Sequence, residues 1–214
     1  MRRHDLLTVD PAYWSSMLRD KPEFAAISLL DEWAMRGFPV ILRRALPGET
    51  PNLVPTGIPL PPSQGRRHVA ILLPAAAIIA VRQPLRAEEV IAAAPSSWRE
   101  TLIAAGQAPG AEDGARVFGS LLWESITGFS YMTEKSDLDL LWFCPDDPFP
   151  LATAIADLEQ RSPVRIDGEI VLPDGGGCHW REILDTGLPD VLVKTLTGVE
   201  LRSKASLRPS PRTS

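Results

Sequence analysis

Apolar positions recur at helical spacing in two early stretches, residues 11–19 and 23–36. The second carries Phe24, Ile27, Leu30 and Met35, with Gly37 as a C-terminal stop. FPVILRR (38–44) reads as a strand. Residues 45–65 hold six prolines and three glycines, which predicts a shaped loop. RRHVAILL returns to strand, and 86–94 and 96–106 read as helices, the latter with Ser96 as N-cap. QAPGAEDG (107–114) is small, polar and turn-forming, the composition of a linker. Beyond it, ARVFGS is a strand entering a turn and SLLWESITG a helix ending at Gly128. SDLDLLWF is a strand, PLATAIADLEQRS a helix and VRIDGEIVL a strand. DGGG is a turn, WREILDTG a short helix and VLVKTLTGVEL a last strand. Strands separated by helices predict an α/β (α+β) fold with a mixed sheet flanked by helices. The boundaries expected are a smaller N-terminal α+β domain over 1–106, a second domain over 114–205 and a disordered polar tail over 206–214.

The segment from Val117 to Phe143, VFGSLLWESITGFSYMTEKSDLDLLWF, carries the chemistry. Side chains alternate along a strand, so Asp137 and Asp139 share a face. Two adjacent carboxylates repel unless a cation lies between them. A hard divalent ion such as Mg²⁺ takes oxygen ligands and bridges carboxylates to phosphates. Gly119 and Ser120 stand where the preceding strand turns into the helix. Glycine allows close backbone approach there, and a helix N-terminus offers N–H groups to a phosphate. A third acidic ligand is available from VRIDGEIVL as Asp167 or Glu169. Strand parity does not choose between them, and Gly168 as a bulge would break their equivalence. Asp167 is the first choice from its place in the strand, against the simpler reading of Asp-Gly as a hairpin turn.

Length and apolar content allow one large or two small domains with a true core. Net charge is −5, unevenly spread: residues 1–100 carry 12 Lys/Arg against 10 Asp/Glu, and residues 101–214 carry 10 against 17. The acidic excess lies in the half holding the Asp pair, and the basic pairs lie in the other. With no basic stripe and no interleaved aromatics, a nucleic-acid surface is not expected. Cys144 and Cys178 lack metal-ligand spacing and read as free thiols of a reducing compartment. The N-terminus lacks an apolar core of signal-peptide length, and Val69–Val81, thirteen residues interrupted by Pro74, is too short to span a bilayer. A cytoplasmic protein with no membrane partner is expected. His4, His68 and His179 are scattered, and His179 beside Trp180 reads as packing or a turn contact.

The Gly-Ser turn, helix and Asp-x-Asp strand resemble the nucleotidyltransferase superfold shared with DNA polymerase β. RRHDLL, GIPLPPSQGRR, the Val117 segment, VRIDGEIVLPDGGGCHWREI and VLVKT together resemble the malonate decarboxylase holo-[acyl-carrier-protein] synthase family, over about Arg2 to Leu201. The resemblance implies a phosphoribosyl-dephospho-CoA transferase. Its donor would be 2′-(5″-triphosphoribosyl)-3′-dephospho-CoA and its acceptor a serine on the acyl-carrier subunit of malonate decarboxylase. It would release diphosphate and use Mg²⁺ held by Asp137, Asp139 and one of Asp167 or Glu169. Asp167 would also polarise the serine hydroxyl. Gly119 and Ser120 would cradle the leaving diphosphate, Arg181 and Lys194 would neutralise phosphate charge, and Arg43, Arg66 and Arg67 would meet the dephospho-CoA phosphates. Sixteen residues separate Ser120 from Asp137, more than is usual in the superfold, and the excess falls at GFSYMTEK, from Gly128 to Lys135. Two other readings remain: a Mg²⁺-dependent nucleotidyltransferase using an ordinary nucleoside triphosphate, and a catalytically silent carrier-protein or CoA-binding module.

Overall fold

The structure, a computed structural model, describes residues 1–24, 27–65 and 67–208. It divides into two units, Met1–Pro84 with Ile126–Tyr131, and Leu85–Ser125 with Met132 onward. The fold is mixed α+β, as the alternation of periods predicts.

In the first unit, β1 (Leu6–Val9), β2 (Val40–Leu42), β3 (Leu53–Pro59), β4 (His68–Pro74) and β5 (Ile78–Arg82) form one sheet in the order β4-β3-β2-β1-β5, with every pairing antiparallel. A flat five-stranded sheet would set its edges about 19 Å apart. The chain from Pro74 to Ile78 spans at most about 15 Å, yet it joins the two edge strands. The sheet therefore curls. Helix α1 (Pro11–Arg19) starts with Asp10 accepting the Ala12 N–H and buries Trp14 and Met17.

Two expectations fail in this unit. The helix expected over 23–36 is instead a pair of 3-10 turns, Pro22–Phe24 and Ser28–Leu30, followed by further turns. Its buried residues Phe24, Ile27, Leu30 and Trp33 recur every third position, the 3-10 period rather than the α period. The loop expected over 45–65 contains β3. Val54, Thr56 and Ile58 are buried while Pro55 and Pro59 sit on the less buried side, so the proline count masked a period of two.

The second unit holds α2 (Arg99–Gly106), β6 (Glu112–Val117), α3 (Gly119–Thr127), β7 (Leu138–Phe143), α4 (Pro148–Arg161), β8 (Ile166–Val171), β9 (Gly177–His179), α5 (Trp180–Leu184), β10 (Asp190–Lys194) and β11 (Val199–Ser203). The sheet order is β11-β10-β9-β8-β7-β6. β7 and β8 are parallel, with α4 as the crossover that parallel pairing requires, and the remaining pairings are antiparallel. Residues 85–106, expected to close the first domain, belong to this unit. Ala87, Val90, Leu102 and Ala105 are buried in it, and the Trp142 indole N–H donates to Ala105 O at 3.1 Å. Ser96 caps nothing; it opens a 3-10 turn (Ser96–Trp98) that leads into α2. The expected last strand is a hairpin, β10 and β11, turned at 195–198, and β9 was not anticipated. Lys204–Leu207 form a 3-10 turn with Leu207 buried, and residues 209–214 of the expected tail lie outside the described residues. Among the described residues no helix is long and apolar enough to cross a membrane, and Cys144 and Cys178 are both free and buried.

Alternation along β7 and β8 sorts their side chains. Gly168 lies against Trp142 and Trp180, where a Cβ would come within 2.7 Å of the Trp180 ring. The opposite face carries Asp139 and Asp167, then Leu141, Phe143 and Val171, which cluster with Phe118. One face is thus packed against tryptophan, and the other carries Asp139 and Asp167 at one end with buried apolar residues beyond them.

Candidate active site

Asp139 and Asp167 are register partners on the parallel strands β7 and β8, so their side chains emerge side by side. The same register sets Glu169 beside Leu141, one pleat further from Asp139. The alternatives left equal by strand parity are therefore unequal in space: Asp167 adjoins the pair and Glu169 does not. Glu169 is buried, with Lys194 Nζ 3.7 Å from its Oε2, and Gly177 leaves it room, since a Cβ there would meet Glu169 Oε1 at 1.9 Å.

The turn between β6 and α3 closes on Asp139. Phe118 N–H donates to the Asp139 carbonyl at 3.1 Å, and the Ser120 N–H donates to its carboxylate. Gly119 has φ +63°, and a Cβ built on it would fall 1.8 Å from Asp139 Oδ2. Only glycine fits both the backbone and the contact. Gly119→Ala is accordingly expected to cost about 1–2 kcal/mol for the left-handed backbone alone. Displacing Asp139 as well should lower transfer by about 100-fold or more; thermal melting and a transfer assay on one preparation would check both.

Burial, first of all, raises the Asp139 pKa to about 7; the neighbouring charges of Asp167 and Asp137 push the same way, and the Ser120 N–H opposes them. Asp167 is shifted the other way. The hydrogen bond from His179 is the largest cause, offset by burial and aided by the charges of Arg165 and Lys194. Asp137, just ahead of β7, pairs with Arg165, just ahead of β8, at 2.9 Å. With Asp137 turned to Arg165 and Asp167 to His179, no group of three or more His, Cys, Asp or Glu side chains among the described residues is gathered to hold a metal ion. The donor chemistry nevertheless suits a hard divalent cation. Asp139 and Asp167 offer adjacent oxygen ligands, with Asp137 two residues away, and the charge crowded onto Asp139 is what a cation relieves.

The expected phosphate and donor contacts are distributed differently. Arg181 pairs with Glu159, donates to Ile166 O at 3.2 Å and lies over the Trp180 ring, so its guanidinium is engaged within the fold. Lys194 keeps its ammonium beside Glu169. Arg43 donates to Thr56 O, Arg44 O and Glu49, tying the 45–52 loop to the first sheet and lowering the Glu49 pKa. Arg67 is exposed, its carbonyl accepting the Leu60 N–H, and Arg66 lies outside the described residues. In the unusually long stretch, Phe129 packs edge-on to Phe38 and Tyr131 is buried with its hydroxyl donating to Pro59 O, all within the first unit. Arg165 was not singled out from the sequence. Arg165 is an ordinary charged residue at a strand start. His179 was read as a turn contact, which it does make, but its second contact spans the gap to β8.

Comparison with known proteins places this α+β chain among the transferases. Residues 2–84 match the phosphoribosyl-dephospho-CoA transferase MdcG N-terminal domain, and residues 81–205 match the C-terminal domain. A phosphoribosyl-dephospho-CoA transferase of Bradyrhizobium diazoefficiens is 41% identical over 202 residues, covering 93% of this chain and 88% of that protein. Those of Xanthomonas campestris pv. campestris and Xanthomonas axonopodis pv. citri are 36% and 32% identical, covering 84% and 90% of this chain and 85% and 94% of theirs. No solved structure matches significantly. The chain belongs to the phosphoribosyl-dephospho-CoA transferase family. The change of family domain at residues 81–84 coincides with the division of the structure at Pro84.

Proposed function

We propose that this protein transfers phosphoribosyl-dephospho-CoA from 2′-(5″-triphosphoribosyl)-3′-dephospho-CoA to a serine of the apo acyl-carrier subunit of malonate decarboxylase, with Mg²⁺ as cofactor. The observation that carries the reading is the register of Asp139 with Asp167 beside the Gly119–Ser120 turn. It sets two carboxylates side by side at a turn that closes on one of them, where a divalent cation would bridge protein oxygens to a triphosphate.

In the reaction the serine Oγ attacks the α-phosphorus in line. The Oγ–P bond forms, the bond to the β-phosphate oxygen breaks, and diphosphate leaves with the bonding pair. Asp137, Asp139 and Asp167 are the residues that would hold Mg²⁺, which supplies charge neutralisation to the triphosphate when bound. Asp167 orients the serine hydroxyl and accepts its proton through the oxygen not engaged by His179. The Gly119–Ser120 turn holds Asp139 in place, its open side taken by Oδ2 and the Ser120 N–H donated to the carboxylate. Both substrates are soluble species, consistent with a cytoplasmic site of action.

Intact mass of the apo carrier subunit, after incubation with this protein, Mg²⁺ and the triphosphoribosyl donor, tests the proposal. The expected result is a gain equal to phosphoribosyl-dephospho-CoA, abolished by chelation. No gain with a verified donor and carrier, or an equal gain from an ordinary nucleoside triphosphate, would overturn it.

A further inference from the structure

His179 holds the N-cap position of α5, its Nδ1 accepting the Arg181 N–H at 3.1 Å. Ser, Thr, Asp and Asn are the side chains that cap well, and an imidazole is an unusual choice. A short capping side chain could not also reach the neighbouring strand. The ring does: Nε2 lies 3.0 Å from Asp167 Oδ1. Because Nδ1 accepts from a backbone N–H, the proton of the neutral ring sits on Nε2, and the hydrogen-bond network assigns that tautomer. Nε2–H therefore donates to Asp167. The Arg181 Nη1 contact at 3.4 Å meets a donor and is not a hydrogen bond in this tautomer. The ring plane is held by stacking near Trp180, at 6.0 Å between centroids and 26° between planes.

We propose that His179 is a positioning residue: fixed by the α5 backbone, it turns the Asp167 carboxylate so that Oδ1 is occupied and Oδ2 is presented beside Asp139 to the cation and the acceptor hydroxyl. This rests on the function proposed above. Outer partners of this kind fix the rotamer of a ligand and typically account for 10–100-fold in metal affinity or activity. β9 pairs with β8 and brings residue 179 opposite Glu169, diagonal to Asp167.

Two substitutions separate positioning from capping. His179→Asn keeps the cap on Arg181 N–H but is too short for Asp167. His179→Gln extends an amide N–H to the reach of Nε2. The measurements are thermal melting with Mg²⁺ or Mn²⁺ titrated in the absence of substrates, and kcat and KM for carrier modification. His179→Asn is expected to melt like the wild type without metal, to need about 10–100-fold more cation for half-maximal stabilisation, and to lose kcat by a similar factor. Its KM for the donor should change little, and His179→Gln should recover most of both losses. Wild-type behaviour of His179→Asn in both assays, or a His179→Gln variant no better than His179→Asn, would overturn the inference. If His179→Asn melts below the wild type, the recovery by His179→Gln still decides. A wild type that neither transfers the group nor responds to the cation would overturn the proposed function and this inference with it. Wild-type transfer matched by His179→Asn would overturn this inference alone.

Discussion

Asp139→Asn is expected to abolish carrier modification while raising the melting temperature of the cation-free protein above pH 7. The loss should be at least about 10³-fold, the equivalent of the several kcal/mol that metal-held charge stabilisation supplies to a transition state. The gain follows from the environment of the carboxylate. Its pKa stands at about 7 in the folded protein against an ordinary 3.8, so the folded state binds the proton more tightly than the unfolded chain does. Stability consequently falls as pH rises from about 4 to about 7, and the ionised carboxylate remains a full liability above that. A shift of this size corresponds to roughly 4 kcal/mol. Asparagine removes the charge yet keeps an oxygen for the Ser120 N–H. Melting curves at pH 5 and pH 8, with and without Mg²⁺, would check this. Wild type should be less stable at pH 8 and recover on addition of the cation, whereas Asp139→Asn should be indifferent to both. A variant less stable than wild type at pH 8 would show that the carboxylate is not under electrostatic pressure.

Asp167→Asn is expected to lose transfer to a comparable extent with a smaller effect on stability. The Asp167 pKa is lowered, chiefly by the His179 hydrogen bond, so its ionised form stabilises the folded state. That contribution is present above the unfolded pKa and is lost only as pH falls through the lower folded value, below about pH 4. The side chain is 44% exposed, so solvent screening keeps the stability term small, about 1 kcal/mol or less. At pH 8 loss of the His179 bond and relief of the repulsion on Asp139 oppose each other in Asp167→Asn, so it should melt below Asp139→Asn while both are inactive. Carrier mass spectrometry and melting at one pH suffice. Near-normal turnover in either variant would remove that residue from the site.

Much of the second unit was legible because its periods are unambiguous. Leu151, Ile155 and Leu158 mark one face of α4, and the apolar runs of β7 and β8 are bounded by charged or polar residues. The first unit was harder to read. Phe24, Ile27, Leu30 and Trp33 follow a three-residue repeat, which a helical template half-satisfies, and the prolines of β3 hid its alternation. The Gly-Ser turn and the Asp pair were visible as motifs, whereas Arg165 and His179 bear on the site only through the partners folding gives them.

Local chemistry by itself determined which segments become strands and helices at the core of the second unit. It also put Gly119 and Ser120 at a strand-to-helix turn and Asp139 near the start of the following strand, with Asp137 two residues before it. Only the tertiary structure decided that Asp167 rather than Glu169 stands beside Asp139, and that His179 reaches it. It likewise decided that Asp139 is buried enough to resist ionisation. Those outcomes depend on the register of β7 against β8 and of β8 against β9, which long-range packing of the buried face selects and no local pattern encodes.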